Sequence, residues 1–260
     1  MSSIATDKGI LHYEVTGRGK PVILLHGWLG SWRLWEKTML NLSGEFRTYA
    51  LDFWGFGESD RKLDSYEVHD FVNLILQFMD QMGIEKAPLI GHSMGGTVSL
   101  LFGLAYPNRV SKIAIIGSPI NGESLAFPLK IAGKKLFASI LFSNMYIFRK
   151  IMRFVAPSLS SDSDFSNMMD NDITNTNLNS FLISISSLRR TDLTNQLGEL
   201  EVPLLGMYGK NDNIVSLNQL DLIKAKIPNA NVEYFLSSGH FIMLDEPIAF
   251  SNSVINFLKK

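Results

Sequence analysis

One serine of the chain lies in a setting that can turn its hydroxyl into a nucleophile. Ser93 is the centre of residues 91–95 (Gly-His-Ser-Met-Gly), between the apolar runs 87–90 and 97–102. A strand that turns sharply into a helix lifts such a serine out of a sheet, and this turn has room only for small residues two positions before and after it. The pattern therefore predicts that Ser93 is the nucleophile of an acyl-transfer reaction.

A serine hydroxyl needs a base, and the chain has five histidines. His240 lies in a turn after the strand-like run 232–235, at a strand end where a sheet displays reactive groups. His92 is next to the serine, but across so tight a turn we expect its ring to point away from Ser93. We predict His240 as the base. The other three histidines, His12, His26 and His69, are expected to have structural roles.

The base needs an acid that orients it, and Asp212 is the best placed carboxylate. It follows the apolar strand-like run 202–208 by a few residues, in a loop. The chain order Ser93, Asp212, His240 is the order of serine hydrolases that carry a nucleophile elbow. In the competing interpretation, Asp212 only caps the helix that begins near Leu217. Asp245 is too close behind His240 and is expected to open the final helix.

Acyl transfer also creates an oxyanion, which needs hydrogen-bond donors held in place. The backbone N–H of Met94, directly after the nucleophile, is one predicted donor. The loop after the strand-like run 21–25 can supply the other, because Gly27 lets the chain turn its amides toward the site. We predict the backbone N–H of Trp28 as this second donor, with the Trp28 and Met94 side chains lining the pocket.

These residues resemble those of the α/β-hydrolase family, in particular its compact serine esterases with a helical cap. Residues 24–28 (LLHGW) are similar to that family's His-Gly oxyanion loop, and residues 52–59 (DFWGFGES) to its D-x-x-G-x-G-x-S turn. The likeness runs from about Ile10 to the C-terminus and is weakest at 119–200. It implies that the Asp52 loop is structural or borders the pocket, so Asp52 is given no catalytic role. A serine at position 93 argues against the dehalogenases and epoxide hydrolases of this fold, which carry aspartate there.

Composition is that of a globular protein with no charge bias. Of its 260 residues 46% are hydrophobic, and the net charge of −1 implies no attraction to nucleic acid. The absence of cysteine excludes disulfides, thiol catalysis and cysteine metal sites. The N-terminal residues have no apolar signal core, and no apolar stretch is long enough for a membrane span. We expect a cytoplasmic protein.

Alternating strand and helix patterns predict an α/β fold, with a mostly parallel central sheet and helices on both faces. Strand-like runs lie at 10–15, 22–25, 47–51, 89–91, 112–116, 204–208 and 232–235, and helical patterns at 31–42, 68–82, 94–106, 217–226 and 248–258. The alternation stops between Pro119 and Leu200. We therefore predict an α/β-hydrolase core at 1–118 and 201–260, with a helical cap at 119–200 inserted over the active site.

The cap has an unusual charge distribution. Residues 124–161 hold six basic residues and no acidic one: Lys130, Lys134, Lys135, Arg149, Lys150 and Arg153. One interpretation is that amphipathic cap helices bury their apolar face over the pocket while the basic side chains face solvent. The other is that the basic face attracts an acidic carrier protein or an anionic membrane surface.

The predicted function is hydrolysis of a carboxylic ester or thioester with an apolar acyl part, through an acyl-enzyme intermediate. The predicted substrate is a small molecule, and no cofactor or metal is needed. Two alternatives stay open. One is a carbon–carbon bond hydrolase of the same fold, and the other is a small-molecule receptor that keeps the triad but hydrolyses slowly.

Overall fold

Eight strands form a single sheet in the computed structural model, which describes residues 2–260 and, among them, every side chain but that of Phe137. The strands are β1 (Ser2–Thr6), β2 (Gly9–Thr16), β3 (Lys20–Leu25), β4 (Phe46–Leu51), β5 (Ala87–His92), β6 (Val110–Ile116), β7 (Leu204–Gly209) and β8 (Asn231–Phe235). Their order is β1-β2-β4-β3-β5-β6-β7-β8. The pairs β1–β2 and β2–β4 are antiparallel, and all other pairs are parallel. The predicted α/β-hydrolase fold is confirmed.

The central strands are apolar on both faces, which is typical of a parallel sheet covered by helices on each side. In β3 the last four residues are fully buried, and in β7 all six residues are buried. The sequence analysis missed only β1. Its residues are half-buried or exposed and, apart from Ile4, small or polar, so they lack the apolar run that marks the central strands.

Eleven helices fall within residues 2–260. They are α1 (Glu36–Leu42), α2 (Val68–Gln81), α3 (Met94–Ala105), α4 (Phe127–Ala132), α5 (Lys135–Ser143), α6 (Met145–Val155), α7 (Phe165–Thr174), α8 (Leu178–Arg190), α9 (Asn218–Lys226), α10 (Ile242–Asp245) and α11 (Pro247–Lys259). The five helices predicted outside the cap agree with α1, α2, α3, α9 and α11 to within a few residues, except that a 3₁₀ turn at Trp32–Trp35 precedes α1. The short α10 was not predicted.

Parallel pairing places the carboxyl ends of β3, β5, β6, β7 and β8 at one edge of the sheet. The predicted oxyanion loop follows β3, Ser93 follows β5, Asp212 follows β7 and His240 follows β8. Residues far apart in the chain therefore meet at this edge, which is where ligands bind in open α/β sheets.

Helices α4 to α8 lie between β6 and β7, in the segment where the sequence predicts the cap. Several polar contacts tie this segment to the core. The Ser180 hydroxyl donates to the Gly55 carbonyl oxygen at 2.9 Å, and the Val68 backbone N–H donates to the Ser187 hydroxyl at 3.1 Å. Within residues 2–260, no helix has both the length and the apolar character needed to cross a bilayer.

Candidate active site

Ser93 occupies the sharp turn between β5 and α3. Its φ of 50° and ψ of −118° lie in a region that L-residues rarely adopt, and such strain is common where a side chain is held for function. The flanking glycines are required by space. A Cβ on Gly91 would lie 2.3 Å from the Gly95 carbonyl oxygen, and a Cβ on Gly95 would lie 2.3 Å from the Leu25 carbonyl oxygen.

His240 and Asp212 form a buried hydrogen-bonded pair. The His240 Nδ1 lies 2.8 Å from Asp212 Oδ2, and the side chains of both residues are almost fully inaccessible to solvent. The other carboxylate oxygen, Oδ1, accepts the backbone N–H groups of Ile214 and Val215 at 2.8 and 2.9 Å. These donors fix the carboxylate, and the carboxylate fixes the imidazole, so that Nε2 is left for a proton transfer.

Ser93 and His240 both line one cavity of about 120 Å³, whose wall also includes residues of α4, α6 and α7. Among the described residues we find no hydrogen bond between the Ser93 hydroxyl and the His240 ring, and such contacts often tighten only when substrate binds. The structure thus brings Ser93, Asp212 and His240 together, while their catalytic roles stay predictions.

The cavity wall is predominantly apolar. Besides Ser93, His240, His92 and Asp172, it is lined by Gly27, Trp28, Leu29, Gly30, Leu34, Leu129, Met152, Leu159, Phe165, Met168, Met169, Ile214 and Phe241. No lysine or arginine is present among these lining residues. A ligand carboxylate in this cavity would have no cationic partner, and burying an unpaired charge is costly.

The two predicted oxyanion donors lie at the same edge of the sheet. Met94 begins α3, and Trp28 lies in the loop after β3, where its side chain lines the cavity. In residues 2–260 we find no protein acceptor for either backbone N–H. The Trp28 indole N–H donates to the Phe181 carbonyl oxygen of α8 at 3.1 Å, which ties the oxyanion loop to the cap.

His92 lines the same cavity as Ser93, and its ring centroid lies 4.6 Å from that of His240. The His92 Nε2–H donates to the His240 carbonyl oxygen at 3.1 Å, because a carbonyl can only accept. Burial, and then the charge of His240, hold the pKa of His92 well below its usual value. His92 is therefore a neutral ring that positions the His240 loop.

The Asp52 loop is a structural support, as the resemblance implied. Asp52 is fully buried and pairs with His12, whose Nδ1 lies 2.8 Å from Asp52 Oδ2. Burial lowers the pKa of His12, but the hydrogen bond and charge of Asp52, with the charges of Glu58 and Glu14, outweigh it, so that the pKa is raised. The Asp52 carboxylate also accepts the backbone N–H groups of Trp32 at 2.7 Å and Glu58 at 2.9 Å.

The expected role of Asp245 is wrong, because this residue ends α10 and does not open the final helix. Its Oδ1 accepts the hydroxyl of Ser160 at 2.7 Å and the backbone N–H of Ser161 at 2.8 Å, and its Oδ2 accepts the backbone N–H of Gly239 at 3.1 Å. Asp245 therefore joins the cap to the turn that holds His240.

Asp172 is a polar residue of the cavity to which the sequence analysis assigned no role in the site. It lies on α7, is 2% exposed and lines the cavity. Burial raises its pKa to about 7, although the polar side chain of Ser31 opposes this. A signal was present in the sequence: Phe165, Met168 and Met169 precede Asp172 at helical spacing, which places its carboxyl on the apolar face.

A metal centre does not emerge from the part of the chain that the structure describes. In residues 2–260 no group of three or more His, Cys, Asp or Glu side chains is arranged to hold an ion.

Two known proteins to which this chain is similar are hydrolases. The chain is 27% identical to the 2-hydroxy-6-oxononadienedioate/2-hydroxy-6-oxononatrienedioate hydrolase of Cupriavidus pinatubonensis, over 95% of this chain and 90% of that protein. It is 29% identical to the 2-hydroxy-6-oxo-6-phenylhexa-2,4-dienoate hydrolase of Burkholderia cepacia, over 95% and 91%.

Solved structures share the fold at lower identity. A hydrolase from Pseudomonas aeruginosa superimposes with a TM-score of 0.88 at 23% identity, over 100% of this chain and 98% of that one. A thermophilic esterase from Thermogutta terrifontis gives a TM-score of 0.86 at 21% identity, with the same coverage. Residues 20–247 match the family described as the alpha/beta hydrolase fold. With the elbow, the buried His–Asp pair and the cavity at one sheet edge, this match shows that the chain belongs to the α/β hydrolase fold family.

Proposed function

We propose that this chain is a serine hydrolase that cleaves the bond beside a carbonyl carbon, with an apolar part of the substrate held in the cavity. The proposal rests on one observation: Ser93 and His240, whose ring is hydrogen-bonded to Asp212, line the same apolar cavity. A nucleophile, a base and an orienting acid on three different strand ends have little structural reason to converge there.

In the reaction, His240 Nε2 takes the proton of the Ser93 hydroxyl as its oxygen attacks the carbonyl carbon. The backbone N–H groups of Met94 and Trp28 stabilise the oxyanion that forms. His240 then gives its proton to the leaving group, and a water activated by His240 releases the acid from Ser93. Asp212 keeps the imidazole in the required tautomer and stabilises the imidazolium.

Carbon–carbon bond hydrolysis is the first candidate. It is the alternative that the sequence left open, and the names of the curated relatives favour it over the ester. A carbon leaving group must depart with its electron pair. The 2-hydroxydienoate can accept this pair only from its keto tautomer, in which the enol proton has moved to the carbon next to the cleaved ketone. The pair then delocalises through the remaining double bond to the 2-oxo group, and a 2-hydroxydienoate is the leaving product. The apolar cavity would hold the uncharged side of the ketone, such as the phenyl group named in the Burkholderia relative's substrate.

Ester or thioester hydrolysis is the second candidate, and the charge of the cavity favours it. The named substrates of the relatives are carboxylates, whereas no lysine or arginine lines the described cavity. An uncharged ester avoids the cost of a buried, unpaired carboxylate. For the first candidate to hold, the substrate carboxylate has to stay outside the apolar part of the cavity.

One experiment separates these candidates. Wild type and Ser93→Ala are assayed side by side with 2-hydroxy-6-oxo-6-phenylhexa-2,4-dienoate and with p-nitrophenyl esters of rising acyl length. Loss of a triad member costs about a million-fold in turnover. Dienoate turnover that the variant lacks would establish the first candidate, and ester turnover alone the second. No turnover above the variant with any compound would refute both and favour the receptor.

A further inference from the structure

Asp172 introduces a polar group into an otherwise apolar part of the cavity. Its side chain comes from cap helix α7, lines the cavity with Met168 and Met169 and is 2% exposed. Among the described residues its Oδ1 has no hydrogen-bond partner. A buried polar atom without a partner costs about 1–3 kcal/mol, so such atoms are rare unless a ligand completes them.

The surroundings of Asp172 restrict the chemistry of that ligand. A ligand cation would lose its hydration and meet a single carboxyl in an apolar wall, and burying such an ion pair costs desolvation energy. A ligand carboxylate would meet a group of its own charge, with no lysine or arginine among the lining residues. A hydroxyl group is uncharged and both donates and accepts a hydrogen bond. It can therefore pair with the Asp172 carboxyl whether or not that carboxyl holds a proton.

We propose that Asp172 forms a polar subsite of the substrate cavity that binds a hydroxyl group of the substrate. This inference rests on the proposed function, since it assigns part of the same cavity to the substrate. Asp172 acts in specificity: a substrate with a correctly placed hydroxyl completes the Oδ1 hydrogen bond, and an analogue without one leaves it open. Sites built to bind a substrate hydroxyl discriminate strongly against analogues that lack it.

The test measures binding, so that it does not depend on which bond is cleaved. Ser93→Ala is titrated with unbranched medium-chain ketones that carry no hydroxyl or one hydroxyl at successive carbons. At one position we expect the hydroxyl to tighten binding about tenfold. Adding Asp172→Leu abolishes that preference, whereas Asp172→Asn, which can still donate and accept, keeps part of it. Circular dichroism checks that each variant folds.

The outcomes separate the subsite from the proposed function. If the ketones bind, but at no hydroxyl position does the affinity differ between the proteins with Asp172 and with Asp172→Leu, the subsite is refuted even where hydrolysis is found. If the preference is present but no ester or dienoate is hydrolysed, the proposed function is refuted and the subsite stands. If no ketone binds at all, both are refuted.

A separate observation concerns the outer surface of the cap. Helices α5 and α6 carry apolar side chains on faces that point away from the cavity, including Leu136, which is 77% exposed, and Phe154, which is 88% exposed. In α6 the exposed residues Ile147, Ile151 and Phe154 are spaced as one helical stripe. The sequence analysis expected the apolar side chains of the cap to face the pocket, and these side chains face solvent instead.

Basic side chains flank this stripe. Lys134 and Lys135 lie at the start of α5, and Lys150 and Arg153 lie beside the stripe on α6. Among the described residues, none of these four has an ion-pair partner, whereas Lys130 pairs with Glu123 and Arg149 with Asp170. An apolar stripe bordered by unpaired cations is the pattern of a helix that lies in the headgroup region of an anionic membrane.

We infer that the outer face of α5 and α6 docks on an anionic lipid surface. The sequence analysis also named an acidic carrier protein as a partner. Its acidic surface would pair with the cations, but it would provide less apolar surface to cover the exposed stripe. Large exposed apolar patches usually mark an interaction site, and a bilayer takes up such a stripe without requiring a complementary groove.

Vesicle sedimentation tests this inference. Wild type should bind vesicles of phosphatidylcholine with phosphatidylglycerol and not vesicles of phosphatidylcholine alone. Each basic residue at such a surface contributes about 1 kcal/mol, or about fivefold. The triple variant K134E/K135E/K150E should therefore lose about a hundredfold in affinity or more. The control K86E/K224E/K226E has the same net charge and should bind like wild type, apart from a small general charge effect.

The apolar part of the inference has its own matched pair. Phe154→Ser should weaken vesicle binding about tenfold, whereas Ile248→Ser, which replaces a residue 75% exposed on α11, should not. Equal effects of the two triple variants, or no effect of Phe154→Ser, would overturn the inference. The inference would also be overturned if the wild type bound neither kind of vesicle but did bind an acidic acyl carrier protein.

Discussion

Asp172 should make the stability of this protein fall as the pH rises, which is opposite to the effect of a salt-bridged carboxylate. Burial raises its pKa from the ordinary 3.8 to about 7, and the negative charge of Asp52 adds to this. The polar side chains of Ser31 and Asn171 and the positive charge of Arg33 act against it and are outweighed. The native protein therefore keeps this proton up to about pH 7, while the unfolded chain loses it near pH 4.

The magnitude follows from linkage between protonation and folding. Above pH 4 the unfolded state binds fewer protons at this site than the native state, so the free energy of unfolding falls with rising pH until about pH 7. One pKa unit is worth about 1.4 kcal/mol, so the total cost above pH 7 is about 4 kcal/mol. Below pH 4 the carboxyl is protonated in both states and the cost is absent.

Urea unfolding of wild type and Asp172→Asn measures this cost directly. Asparagine has nearly the same shape and does not titrate, and the contributions of all other titrating groups cancel in the difference between the two proteins. From pH 5 to pH 8 the free energy of unfolding of the variant, relative to wild type, should rise by about 2–3 kcal/mol. A difference that stays constant within about 0.5 kcal/mol would show that the pKa of Asp172 is not raised, and would refute the reasoning.

Three further predictions concern the parts that hold the site. Asp212→Asn should lower kcat about ten-thousand-fold with little effect on Tm, because the amide stabilises the wrong imidazole tautomer. Steady-state kinetics would check this with the substrate that the dienoate and ester assay identifies, and a loss of only tenfold would contradict it. Gly95→Ala should lower the free energy of unfolding by about 3 kcal/mol or prevent folding, since its Cβ would lie 2.3 Å from the Leu25 carbonyl oxygen. Asp245→Ala should cost about 2 kcal/mol and speed proteolysis of the cap, because it removes the contacts between the cap and Gly239; unchanged cleavage rates would argue that the cap is held elsewhere.

The fold was predictable because its signals are local. Each buried strand of the core is an apolar run followed by a turn, and the glycines around Ser93 are required by contacts within a few residues of it or with the neighbouring β3 loop. The hydrogen bond between His240 and Asp212 could be anticipated for a related reason. Both residues follow strands that the alternating pattern places in one parallel sheet, and the carboxyl ends of such strands meet.

The remaining features depend on contacts that no local pattern reveals. Asp245 lies two residues before the final helix in sequence, yet its partners Ser160 and Ser161 come from the cap. The outward stripe on α6 was missed because that helix is apolar on two sides, with Phe148 buried and Phe154 exposed. Periodicity finds an apolar face, but it cannot decide which of two faces turns inward.

Asp172 joins these observations into one argument about function. A buried carboxyl whose raised pKa lowers the stability by about 4 kcal/mol above pH 7, with one oxygen left without a partner among the described residues, has no evident structural role in the fold. Leucine at that position would extend the surface made by Met168 and Met169, and replacement of a buried charge by an apolar side chain is often stabilising. Proteins keep such costly groups mainly where activity needs them. The position of Asp172 in the wall that also holds Ser93 and His240 therefore favours a role in recognising the substrate over a role in stabilising the cap.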